Sequence, residues 1–106
     1  MLPEITPQHL KERLQKGEEL HLIDVREPAE WAICHLGGEL IPLADLPKQA
    51  ARLDRQKTTV LLCHHGLRSA QALNFLQQRH GFTNLLNLKG GLHAWALEVD
   101  PDFPVY

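Results

Sequence analysis

The spacing of apolar residues along the chain switches repeatedly between the period of a helix and that of a strand. Leu10 and Leu14 lie four residues apart behind Thr6 and Pro7, a capping hydroxyl followed by a residue suited to the first helical position. A helix is predicted to open there. The aliphatic stretch 20–25 reads as a strand, and Glu27-Pro28 starts a short helix that contains Trp31. Residues 39–41 read as a brief strand, 44–53 as a helix and 58–62 as another strand. Over 68–80, Leu73, Leu76 and His80 fall roughly on one helical face, and Gly81 stops that helix. A last strand over 85–88 and a last helix over 92–97 complete the series. Strands alternating with helices predict an α/β domain with a mainly parallel sheet. In such domains ligands sit outside the carboxyl ends of the strands.

The strand over 58–62 delivers Cys63 to such an end, where His64-His65-Gly66-Leu67-Arg68-Ser69 leads into the next helix. The connection must turn sharply, which Gly66 permits. Its backbone N–H groups then converge on the sulfur while the helix start adds positive potential. Such a site stabilises an anion, and the thiolate is the nucleophilic form of cysteine. A cysteine at a strand end is often no more than a small buried apolar residue. Two histidines, a glycine, an arginine and a serine within the next six residues do not form a packing sequence, and we read Cys63 as a nucleophile.

The segment Cys63 to Ser69 resembles the active-site loop of rhodanese-like sulfurtransferases, of the form Cys-x-x-Gly-x-Arg-Ser. Leu22-Ile23-Asp24-Val25-Arg26-Glu27-Pro28-Ala29-Glu30-Trp31 is similar to the family's strand-plus-turn signature, and Leu88-Lys89-Gly90-Gly91-Leu92-His93-Ala94-Trp95 to its Gly-Gly…Trp signature. Cys34-His35-Leu36-Gly37-Gly38-Glu39 aligns with the family's Gly-His-Ile-Pro-Gly-Ala and departs from it at the first, fourth and sixth positions. The resemblance runs from about Leu20 to the C-terminus. It implies one small rhodanese-like domain over residues 1–106, with a mainly parallel central sheet of about five strands flanked by helices on both faces. It also implies a persulfide relay: Cys63 takes sulfane sulfur from thiosulfate or a protein persulfide and passes it to a thiol or cyanide. That chemistry requires no metal and no cofactor. Phosphatases sharing the architecture carry one more residue between cysteine and arginine, whereas four intervene here. No acidic residue is evident beside the loop to protonate a departing alkoxide. The alternative that shares the persulfide is a carrier or interaction module for a desulfurase or cofactor-building enzyme, and a small cysteine-dependent phosphatase is the more distant one.

Within the loop Cys63 is the expected nucleophile, Arg68 an anion-binding or loop-bracing cation, Gly66 the turn residue and Ser69 a helix N-cap. Leu67, at the loop tip, shapes the rim of a pocket or meets a partner protein. His64 and His65 have two readings: partly cationic imidazoles that attract a dianionic donor, or solvated side chains that supply only backbone N–H groups. His35 is expected to brace its loop, Asp24 and Arg26 to fix a turn by hydrogen bonding or, as the resemblance implies, by an ion pair, and Trp31 and Trp95 to pack. Seven histidines raise the question of a metal. However, His64 and His65 are neighbours, and His9, His21, His35, His80 and His93 are scattered without a chelating spacing, so no metal is assigned. Cys34 is either an incidental thiol or, with its Cα within about 7 Å of that of Cys63, a resolving one.

A net charge of −2, from 11 basic and 13 acidic residues, provides no global field for nucleic acid or an anionic membrane. Two cysteines do not make a disulfide framework, and residues 1–7 lack the charged and apolar regions of a signal peptide. The apolar runs are too short to span a bilayer. The sequence therefore reads as a cytoplasmic protein whose partners are a small anionic sulfur donor or a protein persulfide, a thiol acceptor, and in the carrier reading a docked protein. The Pro-punctuated tail 99–106, with Phe103 and Tyr106, is expected to pack back on the domain or to dock a partner.

Overall fold

The computed structural model describes residues 2–104, so that Met1, Val105 and Tyr106 of the terminal segments considered above lie outside the described residues. Its strands are β1 (Glu4–Ile5), β2 (His21–Asp24), β3 (Glu39–Leu40), β4 (Thr59–Leu62) and β5 (Leu85–Leu88). The helices are α1 (Pro7–Gln15), α2 (Pro28–Ile33), α3 (Leu46–Gln49), α4 (Leu67–His80) and α5 (Gly91–Glu98). All neighbouring strands pair in parallel, in the order β1-β5-β4-β2-β3. The α/β class and the parallel sheet are as the sequence predicts.

Strand β4 lies at the centre of the sheet and is buried along its whole length. Its side chains alternate between two cores, as the two-residue period of a strand requires. Val60 and Leu62 join Leu22 of β2, Leu10 of α1, and Leu92 and Trp95 of α5. Leu61 and Cys63 join Ile23, Val25 and Leu46 with Ala72, Leu73 and Leu76 of α4. Each fully buried leucine of these layers contributes on the order of 1.5–3 kcal/mol relative to an exposed one. The same alternation directs Cys63 to the face covered by α4, the helix that begins just beyond it.

Two features differ from the sequence-based expectation. β1 was not foreseen, because two residues between prolines cannot display alternation. It is held by Asn87 N–H donating to Pro3 O at 2.8 Å and Lys89 N–H to Ile5 O at 2.9 Å. The helix expected over 44–53 is instead a 3₁₀ turn (Leu43–Asp45), α3 and a second 3₁₀ turn (Ala50–Arg52). Pro47 has no N–H to donate to the carbonyl of Leu43, so no continuous ladder can run through it. Other boundaries agree to within one residue. Thr6 caps α1 as expected, its Oγ1 accepting from His9 N–H at 3.2 Å. Within the described part of the tail, Val99 and Phe103 pack against the core between β4 and α5. Among the described residues no helix is long and apolar enough to cross a membrane.

Candidate active site

Cys63 follows β4 directly and is 1% exposed. Gly66 has φ +94°, a left-handed conformation that other residues rarely adopt, and it occupies the position preceding α4. The turn brings Gly66 N–H to 3.1 Å from Sγ, with Ser69 N–H at 3.4 Å and Ser69 Oγ also at 3.4 Å. Two backbone N–H donors and the Ser69 hydroxyl thus surround the sulfur at the N-terminus of a 14-residue helix, the end at which unpaired peptide N–H groups point outward. Ser69 is therefore not the N-cap. Gly66 takes that position, which places Ser69 inside the first turn, fully buried against the thiol. Asn87 of β5 holds the turn from the neighbouring strand, its Nδ2 donating to Gly66 O at 3.2 Å.

The other flank of the loop rests on α5. Leu92 N–H donates to Cys63 O at 2.9 Å, and His93 N–H to His64 O at 3.0 Å. This approach requires Gly91, whose φ is +65° and on which a Cβ would stand 2.4 Å from His64 O and 2.5 Å from Cys63 O. Gly91→Ala must therefore displace the backbone of the loop itself. Backbone strain of this kind costs of order 1–3 kcal/mol before the overlap is counted. Urea unfolding is expected to show a loss of at least about 2 kcal/mol. A loss within about 0.5 kcal/mol, the range of an ordinary surface change, would show that the loop yields freely.

Arg68 grips Glu30 of α2 with both terminal nitrogens, Nη1 to Oε1 at 2.6 Å and Nη2 to Oε2 at 2.9 Å. Hydrogen bonding to Arg68 holds the Glu30 carboxyl well below its usual range, at about 2. An acidic residue thus does stand beside the loop, contrary to the sequence reading. It is a carboxylate near neutral pH and carries no proton for a leaving alkoxide. Glu30 is oriented by a capping box, Glu27 N–H donating to its Oε1 at 3.0 Å.

The far end of α2 is fixed by a buried ion pair. Arg26, with no exposed surface, donates from Nη2 to Asp24 Oδ2 at 2.7 Å and from Nε to Asp24 Oδ1 at 2.9 Å. The same Nη2 reaches Cys34 O at 2.7 Å. The ion-pair brace that the resemblance implied is therefore present. Cys34 is buried at the end of α2, and both cysteines are free thiols. His35 braces its turn as expected: its Nδ1 accepts from Gly37 N–H at 3.0 Å, and its ring stacks on Trp31 at 3.9 Å.

His64 is half-buried and His65 exposed, while Leu67 projects 75% exposed at the loop tip. The fold adds His93 to them, its ring centroid 4.8 Å from that of His65 and 5.8 Å from that of His64. Desolvation, then repulsion from His64 and His93, hold His65 below the usual imidazole range. It is mostly neutral near pH 7, which disfavours the reading in which it attracts a dianion by charge. Sequence reasoning did not bring Glu30, Asn87 or His93 to the loop. Glu30 and His93 lie within the quoted signatures, but no local spacing connects them with Cys63.

The model of the Rhodanese-like domain family matches residues 6–98. A Mycobacterium tuberculosis protein named "Probable adenylyltransferase/sulfurtransferase MoeZ" is 43% identical over 105 residues, which are 96% of this chain and 26% of that protein. This chain thus spans about a quarter of that relative's length. A sulfurtransferase of Allochromatium vinosum is 36% identical over 97 residues, 91% of this chain and 90% of that protein. Among solved structures, a rhodanese-like domain protein from Staphylococcus aureus has a TM-score of 0.83 at 26% identity, with 99% of each chain covered. The matched span runs from the cap of α1 to the last turn of α5 and includes every residue of the Cys63 loop, and on that ground this chain belongs to the rhodanese-like domain family.

Proposed function

We propose that this protein is a sulfurtransferase that carries sulfane sulfur on Cys63. The observation that carries the reading is the convergence of Gly66 N–H, Ser69 N–H and the Ser69 hydroxyl on Sγ at the carboxyl end of β4. With thiosulfate as donor, the thiolate attacks the outer sulfur, a new S–S bond forms, and the old one breaks with its electron pair leaving on sulfite. The resulting persulfide anion then gives its outer sulfur to an acceptor thiolate or cyanide and regenerates the Cys63 thiolate. No oxidant is consumed. During the first step negative charge moves one atom outward from Sγ. The amides of Leu67 and Arg68, in the first turn of α4, are those that helix geometry leaves without intrahelical acceptors. They and the guanidinium of Arg68 are the groups we assign to the outer sulfur, with the backbone of His64 and His65 completing the loop. A nucleophilic thiol of this kind is kept reduced in the cytoplasm, where we place the reaction.

Leu67 supports a second reading that shares the persulfide. An apolar side chain 75% exposed at the tip of a catalytic loop suits contact with a protein donor or acceptor, and the name of the mycobacterial relative couples sulfur transfer to adenylyl transfer. In that reading sulfur arrives from a docked protein and the chain acts as a carrier. Four residues between Cys63 and Arg68, together with an ionised Glu30, weigh against phosphate-ester hydrolysis.

Intact-protein mass tests the reading. After thiosulfate the protein is expected to gain about 32 Da, one sulfur atom, reversed by a thiol reductant. A gain seen only with a persulfide-loaded desulfurase would select the carrier role. No gain with either donor would overturn the persulfide.

A further inference from the structure

We propose that His64, His65 and His93 bind one late first-row divalent ion, of which Zn²⁺ is the probe, at the rim of the Cys63 loop. Each offers a ring nitrogen, and these donor atoms all lie within 4.8 Å of one another. The cluster is a product of the fold. The hydrogen bond from His93 N–H to His64 O at 3.0 Å sets the register of α5 against the loop, and so brings a histidine from the opposite flank to two consecutive loop histidines. Consecutive side chains diverge in an extended strand, but the loop is turning here, and the His64 and His65 rings lie 4.0 Å apart between centroids.

A tetrahedral ion with Zn–N bonds of about 2.0–2.1 Å needs nitrogens roughly 3.4 Å apart. The widest pair must therefore close by about 1.4 Å, which side-chain rotation supplies for one exposed and two half-buried residues. Imidazole donors select Zn²⁺, Cu²⁺ or Ni²⁺ over Mg²⁺ and Ca²⁺, which prefer oxygen. Three protein ligands leave one position of a tetrahedral ion open, as in exchangeable sites and unlike closed structural ones. The site does not depend on sulfur transfer.

The test is a Zn²⁺ titration of the reduced, untagged, metal-free protein in competition with a chromophoric chelator. Wild type is expected to bind one equivalent saturably. His65→Asn and His93→Asn are each expected to weaken binding at least about tenfold, the scale on which even outer-shell partners act. Cys63→Ser is expected to bind as wild type does. His65 is exposed, so its variant does not threaten the fold. Absence of saturable binding, binding that survives both histidine substitutions, or loss of binding in Cys63→Ser would each overturn the three-histidine site.

Discussion

Cys63→Ser is expected to take up no sulfur from thiosulfate and to lose sulfur transfer by on the order of a thousandfold or more, the scale of loss when a nucleophile is removed. Its fold should survive, because the same groups that surround Sγ can serve a hydroxyl. Gly66 N–H and Ser69 N–H donate to the position now, and a serine oxygen would accept from them in turn. The loss would therefore report chemistry: a hydroxyl is not ionised near neutral pH, and it does not form the S–S bond on which the proposed relay depends. Cys34 provides the internal control. It is the other of the two cysteines and is also buried, so Cys34→Ser should keep the full mass gain. A gain of about 32 Da retained in Cys63→Ser and lost in Cys34→Ser would move the nucleophile to Cys34 and sink the mechanism.

The site is assembled from three adjacent strand ends, and this explains how much of it could be read beforehand. Cys63, Gly66 and Arg68 were legible because their signals are local: an aliphatic run, a turn residue and a helix start stand within ten residues. Ser69 was placed in the right loop with the wrong role, since the cap position depends on the positive φ of Gly66, which spacing does not reveal. Glu30 comes from the element after β2, Asn87 from β5 and His93 from α5, and they meet the loop only because β4 lies between β5 and β2. Strand order is a property of the whole chain. The same limit applies to β1, whose two residues become a strand by pairing with Asn87 and Leu88 at the sheet edge. The break at Pro47, by contrast, is a local signal: a proline there removes one N–H from the helical ladder whatever the surrounding residues favour.

Arg26→Ala is expected to have the largest effect on stability. Removing one partner of a buried ion pair costs about 3–5 kcal/mol because the other charge stays buried and unpaired. Here Asp24, 1% exposed, would keep its carboxylate without a counter-charge, and Cys34 O would lose its 2.7 Å donor. That cost is comparable with the whole stability of a marginal domain, about 5–15 kcal/mol. At roughly 4–8 °C per kcal/mol, the thermal midpoint should fall by about 12 °C or more. Arg13→Ala is the contrasting case. Arg13 pairs with Glu18 at the surface, with side chains 33% and 42% exposed, and such pairs are worth about 0–1 kcal/mol. The double variant Asp24→Ala/Arg26→Ala should lose less than the sum of the single variants, because it leaves no orphaned charge. The effect also reaches the candidate active site. Arg26 ties the end of α2 to β2, α2 carries Glu30, and Glu30 grips Arg68. The fraction of Arg26→Ala that remains folded should therefore take up sulfur more slowly than wild type. A loss of stability below about 1 kcal/mol, within the range of an exposed pair, would show that Asp24 finds solvent or another partner and that α2 is held by its packing alone.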